Sequence, residues 1–252
     1  MSHTIIHKNA REIYITMQEY VLTREWKGRY EAFRQIRMPL FAQMLSLSEE
    51  TLFRYLVLND EQDSFLDGLI LIDFLNQCFD DEPVNIVDHY LKRRGWKSTT
   101  DARAYLQCLR DTPWSIYKIL DAVPGESLLV EDLIRETAPI YLHEYMGSKN
   151  LFPGEYLVTQ VTSLHDTHFM TKASCRVAPH VASDMIATIQ EDTPAEHLPF
   201  ESVVDFSNPG HPINQILHQH KDLMIAAMVR SAFSMEDIHP SQEIPTQELH
   251  NV

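Results

Sequence analysis

The sequence predicts an α+β fold. A helical N-terminal region over 1–113 leads into a small five-stranded antiparallel β-meander or barrel over 114–178. A helical closure over 179–234 and a disordered tail over 235–252 follow. Three observations carry this. Apolar residues recur at helical spacing up to Pro113, the period falls to two from Ser115, and helical spacing returns after Pro179.

Residues 5–44 have few breakers, and Ile13, Met17, Tyr20 and Val21 fall on one helical face. Ser46 followed by Glu49 has the form of a capping box opening a helix over 47–58. Ser64 starts an apolar helix over 65–79, and Pro83 suits the first position of another over 84–94, closed by Gly95. Thr100 caps a short helix that Pro113 stops. Tyr117, Ile119, Leu128 and Val130 then alternate as the buried face of paired strands. Val123-Pro124-Gly125-Glu126 and Phe152-Pro153-Gly154-Glu155 both suit type II turns, with Pro setting negative φ and Gly supplying positive φ. Strands are expected over 139–145, 155–164 and 168–177, then helices over 180–190 and 212–233.

The chain of 252 residues is acidic, with a formal charge of −15, and three scattered cysteines suggest no disulfide framework. No leader peptide or membrane span is evident, since the run Leu69–Ile72 is cut by Asp73. A cytoplasmic protein is expected. Such a charge disfavours nucleic acid and anionic membranes as partners unless the few cations cluster.

The stretch "HYLKRRGW", followed by "DARAYLQCLRDTPWSIYKILDAVPGESLLVEDLIR", resembles a block in a group of uncharacterised bacterial proteins. In that group a short helix leads into a strand, a Val-Pro-Gly-Glu-Ser turn and a second strand, and the likeness spans residues 89–160. Some of its members carry a zinc-binding tail like that of SecA, which this chain lacks, its tail containing no cysteine. The resemblance implies the helix-hairpin architecture and no catalytic residue.

The chain contains no phosphate-binding glycine loop, no His-Glu-x-x-His, no Gly-x-Ser-x-Gly and no Cys-x-x-Cys, so no cofactor is expected. Among thirteen histidines, His165, Asp166 and His168 sit in one turn with His180 further on, a set that would suit a metal-dependent hydrolase. The competing reading is a polar hairpin turn. His211, His218 and His220 gather near the start of the last helix and read as ordinary buried or solvated side chains.

Lys92, Arg93, Arg94 and Lys97 surround Trp96 in the one dense basic cluster noted. Those cations complement the C-terminal end of a helix dipole, and they also suit an anionic partner or a nucleic-acid backbone. Trp96 and Trp114 read as a weld between helices and strands, and Cys78 and Cys108 as small apolar residues on helix faces. Tyr141, His143 and Tyr145 read first as core under the C-terminal helices, or as an aromatic platform for a peptide or base where that face is open. The leading expectation is a non-enzymatic interaction or regulatory protein with an unknown protein partner, docking through the β unit or the basic cluster. The alternatives are the metalloprotein and a nucleic-acid binder.

Overall fold

The computed structural model describes residues 3–79, 84–164, 167–193 and 211–233, with the backbone alone for 3–11 and Lys172. The predicted tail, the acidic stretch 80–83, Pro83 and the turn residues His165 and Asp166 lie outside the described residues. The α+β class holds. Six helices come first: α1 (His3–Val21), α2 (Lys27–Met44), α3 (Glu49–Leu58), α4 (Asp60–Leu75), α5 (Ile86–Arg94) and α6 (Thr100–Asp111). Five strands follow: β1 (Ser115–Val123), β2 (Ser127–Asp132), β3 (Ile140–His143), β4 (Tyr156–Leu164) and β5 (Thr167–Val177). The described chain then forms α7 (Pro179–Glu191), α8 (Pro212–Gln219) and α9 (Lys221–Ala232).

Several predicted boundaries move, each for a local reason. Ser46 ends α2 rather than starting α3: it takes φ +57°, and Leu47 N–H folds back to the Ala42 carbonyl at 2.9 Å. Ser48 is the cap of α3, its Oγ accepting from Thr51 N–H at 3.1 Å. Helix α4 begins at Asp60, not beyond Ser64, and Asp60, Glu61 and Asp63 in its first turn favour the positive end of the dipole. Asn85 rather than a proline opens α5, and Thr99 caps α6. The final helix is two, bent at His220, whose carbonyl accepts from both Leu223 and Met224.

Both predicted turns form. Gly125 takes φ +79° and Gly154 φ +91°, and Glu126 and Glu155 N–H bond the Val123 and Phe152 carbonyls at 3.0 and 3.1 Å. The strands are not a meander and not wholly antiparallel. They close as a barrel in the order β1-β2-β3-β5-β4, with β1 bonded to both β2 and β4. This is a Greek-key closure. Parity explains the departure: an odd number of strands cannot alternate direction all the way round a closed barrel. One contact must be parallel, and it falls between β3 and β5, at Leu142 and His168.

Tyr117, Ile119, Leu128, Val130, Leu142 and Val161 fill the barrel interior, as period-two alternation requires. A second, larger core runs from α1 through α4 to α9 and includes Trp114, Ile116 and Val158 from the β side, so the helices pack on the outside of the barrel. Helix α6 lies on β4, while α4 and α9 lie on β5. The outer face of β2 and β3 has no such cover among the described residues. Tyr141, predicted as core, is 60% exposed, and so is Tyr145 at 58%. Trp114 is buried as expected, but Trp96 is 75% exposed and welds nothing. Cys78 lies beyond the end of α4 and is exposed, against its reading as an apolar helix-face residue.

Polar side chains tie the units together. Asn76 donates from Nδ2 to the Leu109 and Arg110 carbonyls, and Gln160 of β4 donates to Asn76 Oδ1 at 2.8 Å and the Thr112 carbonyl at 2.7 Å. Asp73 on α4, 2% exposed, pairs with Arg37 of α2 at 2.6 Å and Lys221 of α9 at 2.8 Å.

Candidate functional site

The basic cluster is built from the end of α5 and the tight turn after it. Asn85 starts the helix, its Oδ1 accepting from Val87 N–H at 2.7 Å. Gly95 N–H bonds the Leu91 and Tyr90 carbonyls and ends it. Lys92, Arg93 and Arg94 occupy the last turn, where cations oppose the negative helix end, and all three are exposed. A short 3₁₀ turn, Gly95–Lys97, then swings Trp96 into solvent with the Lys97 ammonium 5.1 Å from its ring centroid. All five predicted residues are therefore exposed at the end of α5 and the turn after it. An indole that is 75% exposed among cations is the feature that sets this surface apart.

Beneath it lies a hydrogen-bonded hub centred on His89, which the sequence reading did not single out. Trp26 Nε1–H reaches His89 Nδ1 at 3.0 Å, Tyr20 Oη lies 2.8 Å from the same nitrogen, and Glu25 Oε1 is 2.9 Å from Nε2. An indole N–H can only donate, so Nδ1 is the acceptor and the ring proton sits on Nε2, facing Glu25. Arg93 approaches Glu25 at 3.7 Å, and the Arg94 guanidinium lies 5.1 Å from the Tyr20 ring centroid. Burial, then Glu25, pushes the Tyr20 hydroxyl above its ordinary value, and Arg94 and Arg93 pull the other way. The hub docks the α1–α2 turn against α5, and that turn brings the exposed residues Arg24, Lys27 and Arg29 with it. The run Arg24-Glu25-Trp26-Lys27-Gly28-Arg29 repeats the basic-aromatic composition of the first cluster, a signal that was present in the sequence.

Of the other predicted residues, those that are described lie apart. His168 lies at the start of β5 with Nδ1 2.7 Å from Ser163 Oγ, and His180 is exposed at the start of α7. The whole of β5 separates them, about 30 Å of extended chain at ~3.3 Å per residue. Among the described residues no group of three His, Cys, Asp or Glu side chains is placed to hold a metal. His211 caps α8 from Nδ1, His220 pairs with Asp192 at 3.4 Å, and His218 Nε2 lies 3.2 Å from the Asp111 carbonyl. The three have separate partners.

His218 carries a pH prediction. Burial lowers its pKa, with the Asp111 carbonyl opposing and Lys221 reinforcing the shift. The folded chain thus holds the neutral ring, and the unfolded chain takes up the proton first. Its contribution to stability is intact above the ordinary value of 6.5 and declines as the pH falls below it. We expect His218→Gln to flatten the loss of urea stability between about pH 6.5 and 5. An unchanged acid-side slope would show that this ring does not titrate on unfolding.

Two clefts lie elsewhere. One of about 460 Å³ is lined by Tyr14, Asp67 and Gly68 among others, and one of about 730 Å³ by Met38, Leu52 and Phe53. Burial raises the Asp67 carboxyl, and Arg34 pairs with it at 3.0 Å. The Cys175 thiol is pushed up to about 11 by burial, which suits packing rather than nucleophilic chemistry.

No protein-family model, curated protein or solved structure matches the chain significantly. No helix among the described residues is long and apolar enough to cross a membrane.

Proposed function

We propose that this protein is a non-enzymatic interaction or regulatory module that docks a protein partner through Lys92, Arg93, Arg94, Trp96 and Lys97. The observation that carries this reading is the exposed Trp96, 75% accessible beside four exposed cations on a chain of net charge −15. Aromatic and arginine side chains are the residues that anchor interfaces. A local positive field on an acidic molecule steers anionic partners to one place. The barrel supports the reading as a rigid element: α6 leads from the patch straight into β1, and Asn76 and Gln160 lock the two units together.

The test is capture from native cells at moderate salt by tagged protein, with Arg93→Glu/Arg94→Glu as the comparison. We expect a stoichiometric protein partner that the double variant loses by at least tenfold while it still melts in a single cooperative transition. Equal capture by both proteins would remove the site assignment. A second reading, nucleic-acid binding, is favoured by the β2–β3 face, where Tyr141 is 60% exposed, because five-stranded Greek-key barrels use that face for oligonucleotides. Retention of nucleic acid in place of protein, released steeply by salt, would move the assignment there.

A further inference from the structure

We propose that the docking surface is bipartite, with the α1–α2 turn as its second half, and that its occupant is an acidic polypeptide segment bearing an apolar residue for Trp96. This rests on the reading of the Trp96 surface as a docking site and extends it to a partner class. The two halves, 24–29 and 92–97, are more than 60 residues apart in sequence, and His89 joins them. Its Nδ1 takes the Trp26 indole proton at 3.0 Å while Glu25 meets Nε2 at 2.9 Å, so both sides of the ring grip the turn. Trp26 itself is buried, at 2% exposure, and Arg29 lies over it with its guanidinium 5.3 Å from the ring centroid. Because His89 and Arg93 are four apart on α5, they share a face, and Arg93 reaches the same Glu25. Arg94 completes the junction by covering Tyr20 from the end of α1.

Arg24, Lys27, Arg29, Lys92, Arg93, Arg94 and Lys97 are thereby gathered, a third of the chain's 21 lysines and arginines. Acids beside the cluster are already engaged: Glu25 by His89 and Arg93, Glu31 by Lys27 at 3.6 Å, and Asp88 by Arg110. Guanidinium groups match carboxylates as two-pronged donors, and an exposed indole edged by cations takes an apolar side chain between charges. The size of the patch selects against a long polyanion. Beyond it the molecule carries most of its 36 acidic residues, and a nucleic-acid strand continuing past the patch would meet that field.

The probe is a fluorescein-labelled peptide with a central phenylalanine flanked on each side by four glutamates, titrated with the full chain and followed by anisotropy. We expect salt-dependent binding that falls at least tenfold in Arg24→Glu/Lys27→Glu/Arg29→Glu and likewise in Arg93→Glu/Arg94→Glu. Arg54→Glu, on the distant helix α3, should leave it within twofold. Unchanged binding by the triple variant, with loss in the double variant, would overturn the bipartite surface and leave the Trp96 site standing. No binding of the peptide by the wild-type chain, or tighter binding of a single-stranded oligonucleotide of equal charge, would overturn the acidic-polypeptide class. Loss of cellular partner capture in neither variant would instead remove the docking site itself.

Discussion

Replacing Asp132 with alanine is expected to destabilise the protein by about 3–5 kcal/mol, because it strands a buried guanidinium. Asp132, at the end of β2, is 1% exposed and accepts from Ser115 Oγ at 2.8 Å and from the Ile134 and Arg135 amides at 3.0 and 2.9 Å. Its other oxygen meets the guanidinium of Arg135, which is itself 0% exposed. Arg135 continues the network, donating from Nε to Asn214 Oδ1 on α8 at 3.0 Å and from a terminal nitrogen to the Tyr117 hydroxyl at 3.3 Å. Burial lifts the Tyr117 hydroxyl well above its ordinary value, so Tyr117 remains neutral and Asp132 supplies the counter-charge. One carboxylate thus joins the barrel to the C-terminal closure. For a chain of this size each kcal/mol moves the midpoint by about 2–4 °C, so a fall of roughly 6–20 °C is expected in a thermal melt. Replacing both partners, as Asp132→Leu/Arg135→Met, should recover much of the loss, since the desolvation of two charges goes with them. A drop of less than 1 °C in Asp132→Ala would show that water reaches the pair.

Asn85→Ala is expected to cost about 2–5 kcal/mol and to weaken partner capture in the same step. The side chain is 1% exposed and uses every polar atom: Oδ1 caps α5 at Val87, and Nδ2 donates to the Leu75 and Gln77 carbonyls at 2.6 and 2.8 Å. Loss of the cap costs about 1 kcal/mol, the buried Leu75 carbonyl left without a donor adds roughly 1–3 kcal/mol, and the part-buried Gln77 carbonyl adds at most about 1 kcal/mol. Asn85→Asp separates the two effects. It preserves the capping oxygen but turns an acceptor toward two carbonyls, so it should be at least as damaging as alanine. Urea midpoints compare the three proteins. If Asn85→Asp matched wild type, the cap would be the whole contribution and the carbonyls would find other donors. The functional consequence follows from position: α5 carries Arg93 and Arg94, and a frayed first turn loosens the His89 hub one turn later.

Much of this architecture is legible in one dimension because its causes are local. Period-two alternation placed Tyr117, Ile119, Leu128 and Val130 inside the barrel, and Pro-Gly pairs placed both type II turns. A basic last turn before Gly95 marked the end of α5 and the five residues of the exposed cluster. Local signals erred where two readings compete for one residue. Ser46 has the composition of a cap, but the chain needed a left-handed residue to leave α2, and Ser48 was free to cap. The alternation of Tyr141 and His143 identified a strand face without revealing which face the helices would cover, and Tyr145 lies beyond the end of β3.

By itself, then, the sequence determined the α+β class, the turns, the barrel's inward residues and the acidic surface with its basic cluster. These follow from backbone preferences and hydrophobic periods that act over a few residues. The tertiary structure alone decided the closure of the barrel, the exposure of Trp96 and Tyr141, the buried Asp132–Arg135 pair and the His89 junction between two distant basic stretches. Each of these depends on contacts between residues far apart in the chain, and no spacing along the chain encodes which two elements will meet.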